Sequence, residues 1–187
     1  MAEAADDRIR AFLALPLDPA ARTRLARSVE DLRHRLPGCR LVSADGWHLT
    51  LRFLGSSTPA ALQRLTPLVR EAAAACPAGE GRLGGLGLFP ERGSPRVLWL
   101  GMELPEPVRA LQAACEAAAQ AAGFAAEARP FRAHLTLGRW RDRVPGPQLP
   151  PLNLGEAALT EMILFRSDLR PRGALHTALE VFPLARP

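Results

Sequence analysis

Apolar and polar residues alternate strictly from Trp47 to Phe53: Trp47, Leu49, Leu51 and Phe53 fall on one side, His48, Thr50 and Arg52 on the other. A period of two is that of a half-buried strand. The pattern returns at residues 131–139, where Phe131, Ala133, Leu135 and Leu137 alternate with Arg132, His134 and Thr136. Both copies contain His-Leu-Thr-Leu, so the same three polar side-chain types are expected side by side on two strands.

Elsewhere the pattern switches between periods. Residues 8–15 predict a strand stopped by Pro16, and Asp18-Pro19 then supplies an N-cap with proline at the first helical position. Leu25, Val29, Leu32 and Leu36 recur at helical spacing up to Pro37-Gly38. Short strands follow at 41–43 and 47–54 around Asp45-Gly46. A second helix opens at Thr58-Pro59, with Leu62, Leu65, Leu68, Val69 and Ala72 on one stripe, and ends before Pro77. A third opens at Pro105-Glu106-Pro107 and closes at Gly123, its core side Val108, Leu111, Ala114, Cys115 and Ala118.

The strands between and after these helices are 86–89, 97–100, 157–165 and 174–182. Residues 90–95 and 144–152 carry too many prolines and glycines for regular pairing. The glycine-rich stretch 79–87 lacks the Gly-Lys-Ser/Thr of a P-loop and a full GxGxxG, so it reads as strand or bulge. Three amphipathic helices on mostly antiparallel sheet make an α+β protein. Because each motif strand follows a helix, the chain reads as two similar lobes facing each other, one bilobal domain over residues 1–187.

Length and composition narrow the setting. A chain of 187 residues buries a real core without staples. Its three cysteines, Cys39, Cys76 and Cys115, form no CxxC pattern, so neither a disulfide framework nor a zinc cage is expected. The acidic start, Met1 to Asp7, lacks the features of a signal peptide, and the alanine-rich runs are too interrupted to span a bilayer. The expectation is a cytoplasmic monomer without membrane contact. All 24 basic residues are arginines, and the net charge of +5 favours an anionic partner.

A phosphodiester attacked by water needs a base for the nucleophile and an acid for the leaving oxygen on the opposite side. His48 and His134 meet that need if they face each other, because imidazole titrates near neutral pH. Thr50 and Thr136, two residues on, point the same way and can donate to non-bridging oxygens. The alternation adds Arg52 and Arg132 as charge stabilisers, with Arg96 in the neighbouring loop. Phe53 and Phe131 are assigned to core packing, and Trp47 and Phe89 to stacking of a terminal base. His34 is expected at the surface, and His176 as a strand or surface residue.

These motifs resemble the two-histidine (2H) phosphoesterase superfamily, and within it the RNA 2′,3′-cyclic phosphodiesterase branch, also called the 2′-5′ RNA ligase or LigT-like family. The resemblance rests on Arg10-Ala11-Phe12, on residues 48–55 and 129–139, and on Pro95-Arg96-Val97-Leu98-Trp99-Leu100-Gly101. It implies a bilobal α+β fold with a pseudo-twofold axis through a cleft, and opening of an RNA 2′,3′-cyclic phosphate end to a 2′-phosphate without metal or cofactor. Small cyclic nucleotides are the other substrate class it admits. By the same resemblance His48 is the general acid, His134 the general base, and the two threonines hold phosphate oxygens. Two departures stand out: Ala133 where many relatives carry proline, and His176 where an aromatic, often tyrosine, is common. The alternatives are 2′-5′ RNA ligation as the reverse reaction, and a non-catalytic RNA-end or nucleotide binding module.

Overall fold

The computed structural model describes residues 8–171 and 173–186. Met1 to Asp7, read above as a start without an export signal, and Arg172 of the 170–173 turn lie outside the described residues. The elements run β1 (Ile9–Pro16), α1 (Pro19–Arg33), β2 (Arg40–Leu41), a 3₁₀ turn (Ala44–Gly46), β3 (His48–Ser57), α2 (Pro59–Ala75), β4 (Gly79–Phe89), β5 (Val97–Glu103), α3 (Glu106–Ala121), β6 (His134–Arg139), β7 (Asn153–Leu159), β8 (Glu161–Arg170) and β9 (Gly173–Pro183).

The helices start and stop where their caps dictate. The Asp18 carboxylate accepts from the Ala21 amide at 2.9 Å and the Thr58 hydroxyl accepts from Ala61 at 3.2 Å, each with proline just inside the helix. After α3, Gly123 takes φ +93°, and the amides of Gly123 and Phe124 return to Gln120 and Ala119. Only a residue without Cβ adopts that geometry cheaply. On α2 the buried stripe is Leu62, Leu65, Val69 and Ala73, while Leu68 turns toward solvent.

Two antiparallel sheets form, ordered β3-β1-β8-β9 and β2-β6-β5-β4-β7, giving the expected α+β, two-sheet architecture. α2 and α3 pack together behind the first sheet, and α1 lies against β7 of the second. One cluster of leucines, with Trp47, Trp140, Met102 and Phe182, runs through both halves. β3 and β6, the two motif strands, touch where the sheets meet.

Two elements differ from expectation. The strand expected over 157–165 is two strands, because the chain leaves the second sheet at Leu159 and enters the first at Glu161. Thr160 is the crossing point, its carbonyl accepting from the Leu184 amide at 2.9 Å. β4 is longer than the expected 86–89 and begins at Gly79. Its glycines form bulges against both neighbours, with Gly85 at φ +73°.

The motif strand β3 is tied to α3 by a buried charge. Arg52 is 6 % exposed; its Nε faces Glu116 Oε2 at 2.5 Å, and its terminal nitrogens donate to the carbonyls of Phe53 and Ala125. Glu116 also accepts from the Glu127 amide at 3.1 Å, so the pair fastens the segment that leads into β6. Removing one partner of such a pair leaves the other charge without compensation. Arg52→Ala is therefore expected to lower stability by about 3 kcal/mol or more, read as a shift in the urea unfolding midpoint, with Arg52→Met combined with Glu116→Leu recovering most of it.

Candidate active site

The two copies of the motif are built alike, down to a shared irregularity. In β3, Ala14 is registered with Thr50 but Leu13 with Arg52, which makes Leu51 an extra residue. In β6, Trp99 is registered with Thr136 but Leu98 with Gly138, which makes Leu137 the extra residue. A bulge of this kind shifts the phase of every side chain beyond it. His48 and Thr50, and likewise His134 and Thr136, are half-buried on the open face, whereas Leu51 with Arg52 and Leu137 with Gly138 are buried.

This corrects the expected position of Arg52. The bulge turns it away from His48 and Thr50, onto the Leu13 side and into the Glu116 ion pair. Phe53 is turned outward by the same step, registered with Phe12 and lying under the Arg10 guanidinium at 4.5 Å, so it is not a core residue. In the second copy the equivalent outward position is Arg139, registered with Val97. Arg139 acts electrostatically on His134 and was missed because simple alternation carries no information about a bulge.

Around His48 the first sheet supplies an aromatic box. The imidazole stacks on Phe12 with centroids 4.7 Å apart and planes at 27°, and Phe165 joins the cluster at 5.2 Å from Phe12 and 5.9 Å from His48. His176 on β9 stands edge-on to His48 at 5.2 Å, so this histidine belongs to the site, not to the outer surface. His34 is exposed, as expected. Burial, the neighbouring His176 and the more distant His134 together push the His48 pKa down to about 4, opposed by a hydrogen bond to the Gly46 carbonyl.

Across the junction, His134 is edge-on to Phe89 at 5.2 Å and near Trp99 at 6.3 Å. Gly87 leaves room for the indole, which a Cβ there would strike. The His134 Nδ1 lies 2.7 Å from the Arg132 carbonyl. That carbonyl accepts only, so Nδ1 carries the proton in the neutral ring and Nε2 keeps a lone pair. Burial lowers the His134 pKa, and the Arg132 and Arg139 charges lower it further, against the lift from the Arg132 carbonyl. Both values lie below the ordinary 6.5 of imidazole, so both rings are neutral at pH 7.

Of the other expected residues, Arg132 lies beside His134, paired with Glu91 and poised over the Phe89 and Trp99 rings at 5.4 and 5.8 Å. Arg96 is exposed and donates to the Arg141 carbonyl, bracing the loop after β6 and not reaching the histidines. Trp47 is 3 % exposed and sits in the core, which removes it as a stacking surface; Phe89 stays at the site. Phe131 is 39 % exposed in the segment before β6 and does not pack in the core. Trp99 is the aromatic that sequence reasoning passed over.

Two antiparallel sheets meeting at a pair of His-x-Thr strands define a duplicated two-histidine fold. A family model described as the 2′-5′ RNA ligase superfamily matches residues 18–169. An RNA 2′,3′-cyclic phosphodiesterase from Methanothermobacter thermautotrophicus is 32% identical over 95% of this chain and 100% of its own length. Another from Thermus thermophilus is 32% identical over 94% and 90%. Among solved structures, E. coli LigT complexed with 3′-AMP superposes with a TM-score of 0.81 at 28% identity, covering 95% of this chain and 98% of that one. The crystal structure of a Thermus thermophilus protein gives 0.83 at 31% identity, covering 94% and 98%. The chain belongs to the 2′-5′ RNA ligase superfamily.

Depressed histidine pKa values tie stability to pH. In the unfolded chain His48 binds a proton near its ordinary pKa of 6.5, and in the folded chain only near about 4. The unfolded state thus holds more protons between those values, and this contribution to stability, present above 6.5, is lost as pH falls toward 4. Chemical unfolding midpoints are expected to drop across that window, with a shallower slope for His48→Phe.

Proposed function

We propose that this chain opens RNA terminal 2′,3′-cyclic phosphates to 2′-phosphates by two-histidine acid–base catalysis. The observation that carries the reading is the meeting of β3 and β6, which brings His48 with Thr50 and His134 with Thr136 to one junction. The names of the full-length relatives, RNA 2′,3′-cyclic phosphodiesterase, support the substrate class.

In this mechanism the His134 Nε2, its lone pair exposed by the hydrogen bond at Nδ1, takes a proton from water. The water oxygen bonds to phosphorus while the bond to the ribose 3′-oxygen breaks. His48 delivers its proton to that oxygen, leaving a 3′-hydroxyl and a 2′-phosphate. Thr50 and Thr136 donate to the non-bridging oxygens, and Arg132 and Arg139 steady the charge. The anionic phosphate also raises the His48 pKa from about 4, so that the acid is loaded by substrate binding. Arg52 belongs to the scaffold in this scheme, and Arg96 to the loop after β6. The chain works as a cytoplasmic monomer on RNA ends or small cyclic nucleotides.

His48→Ala and His134→Ala are each expected to cut hydrolysis of an oligonucleotide 2′,3′-cyclic phosphate by about 10²–10⁴-fold, followed by phosphorus NMR of the product. Full activity in both variants would overturn the reading. Chelators are expected to leave the rate unchanged. A binding module would instead hold the nucleotide without turnover in the unaltered chain.

A further inference from the structure

β9 brings a third imidazole to the junction. His176 is registered opposite Ser167 of β8, on the face that carries Phe165. Its ring meets Phe12 edge-on at 5.0 Å and 83°, and meets His48 edge-on at 5.2 Å and 86°. Phe165, which touches both of those rings, lies 6.4 Å from it. Its Nδ1 is buried with no hydrogen-bond partner.

That unpartnered nitrogen constrains the ring. A neutral imidazole has one acceptor nitrogen, and leaving it unpaired costs less than burying an unpaired N–H. The packing therefore favours a neutral His176 with its proton on Nε2. Protonating the ring places a buried, unpaired donor next to His48.

We propose that His176 is a positioning residue that holds the His48 ring edge-on and couples its own protonation to that of His48. The proposal rests on the reading of His48 as an acid–base group. No carboxylate among the described residues intervenes between the rings. β1 presents Phe12 and, farther along, Arg10 over Phe53; β8 presents Phe165 and Ser167; the second sheet presents His134. The 3₁₀ turn also packs on β9, but its Asp45 side chain is 96 % exposed and paired with Arg22. A proton on either ring of the pair thus disfavours a proton on the other, in agreement with the His176 contribution to lowering the His48 pKa. Sites coupled in this way titrate as a pair, in steps that belong to neither ring alone.

The test is an NMR titration of the imidazole Cε1–H signals in the substrate-free chain, for wild type, His176→Phe and His176→Tyr. The expected wild-type His48 curve is broader than a single ionisation and narrows in both variants, which keep a ring but lose its titrating nitrogen, the weaker influence of His134 remaining. Superimposable His48 curves in wild type and both variants would overturn the coupling. For positioning, kcat and KM are measured on a mononucleotide 2′,3′-cyclic phosphate. His176→Ala is expected to lose about tenfold in kcat with KM little changed, and His176→Phe to recover it; an unchanged kcat in His176→Ala would overturn the clamp. The NMR arm needs no turnover, so it stands apart from a failure of the catalytic reading, which an active His48→Ala reveals.

Discussion

The ion pair between Arg52 and Glu116 is the interaction on which the site depends, although neither residue faces it. Arg52 leaves β3 two residues after Thr50, and Glu116 projects from α3. Through the Ala125 carbonyl and the Glu127 amide the pair also holds the segment that enters β6 at His134. One buried charge therefore sets the position of the first motif relative to the start of the second. A desolvated guanidinium is costly in isolation, and here two carbonyls accept from its terminal nitrogens while the Glu116 carboxylate offsets its charge beside Nε. Apolar packing alone would not specify this geometry, because leucines tolerate small slides that a buried ion pair with two directed hydrogen bonds does not.

The paired bulges explain why the two copies of the motif end differently. Up to the threonine both strands follow the pleat. Beyond Leu51 and Leu137 the phase is reversed, so Arg52 corresponds to Gly138 and Phe53 to Arg139. One half of the junction thereby gains an outward aromatic and an inward charge, the other an outward charge and an inward glycine backed by Cys39. Pseudo-symmetry of the backbone coexists with asymmetry of the chemistry, so the two histidines stand in different surroundings, His48 beside His176 and His134 beside Phe89.

How far the sequence could be read follows from the same physics. Helix starts were legible because Asp18-Pro19 and Thr58-Pro59 are local signals, complete within a few residues. His48, Thr50, His134 and Thr136 were legible because alternation holds up to that point. Arg52, Phe53 and Arg139 were not, since a bulge is set by the partner strand's register and leaves no trace in the strand's own pattern. The split at Thr160 was hidden likewise: an unbroken run of strand formers does not say which sheet each half joins. His176 looked peripheral because only the β8–β9 register brings it beside Phe165.

The crossing at Thr160 bears on how the protein is made. The first sheet draws on residues 9–16, 48–57 and 161–183, and the second on 40–41, 79–103 and 134–159. Neither is a continuous stretch of chain. β8 fills the middle of the first sheet, between β1 and β9, yet the ribosome delivers it after both motif strands. A nascent chain halted at residue 160 would carry His48 and His134 but lack the strands that bear Phe165 and His176. Assembly of the His48 side thus awaits β8 and β9, although His48 itself lies in the first third of the sequence.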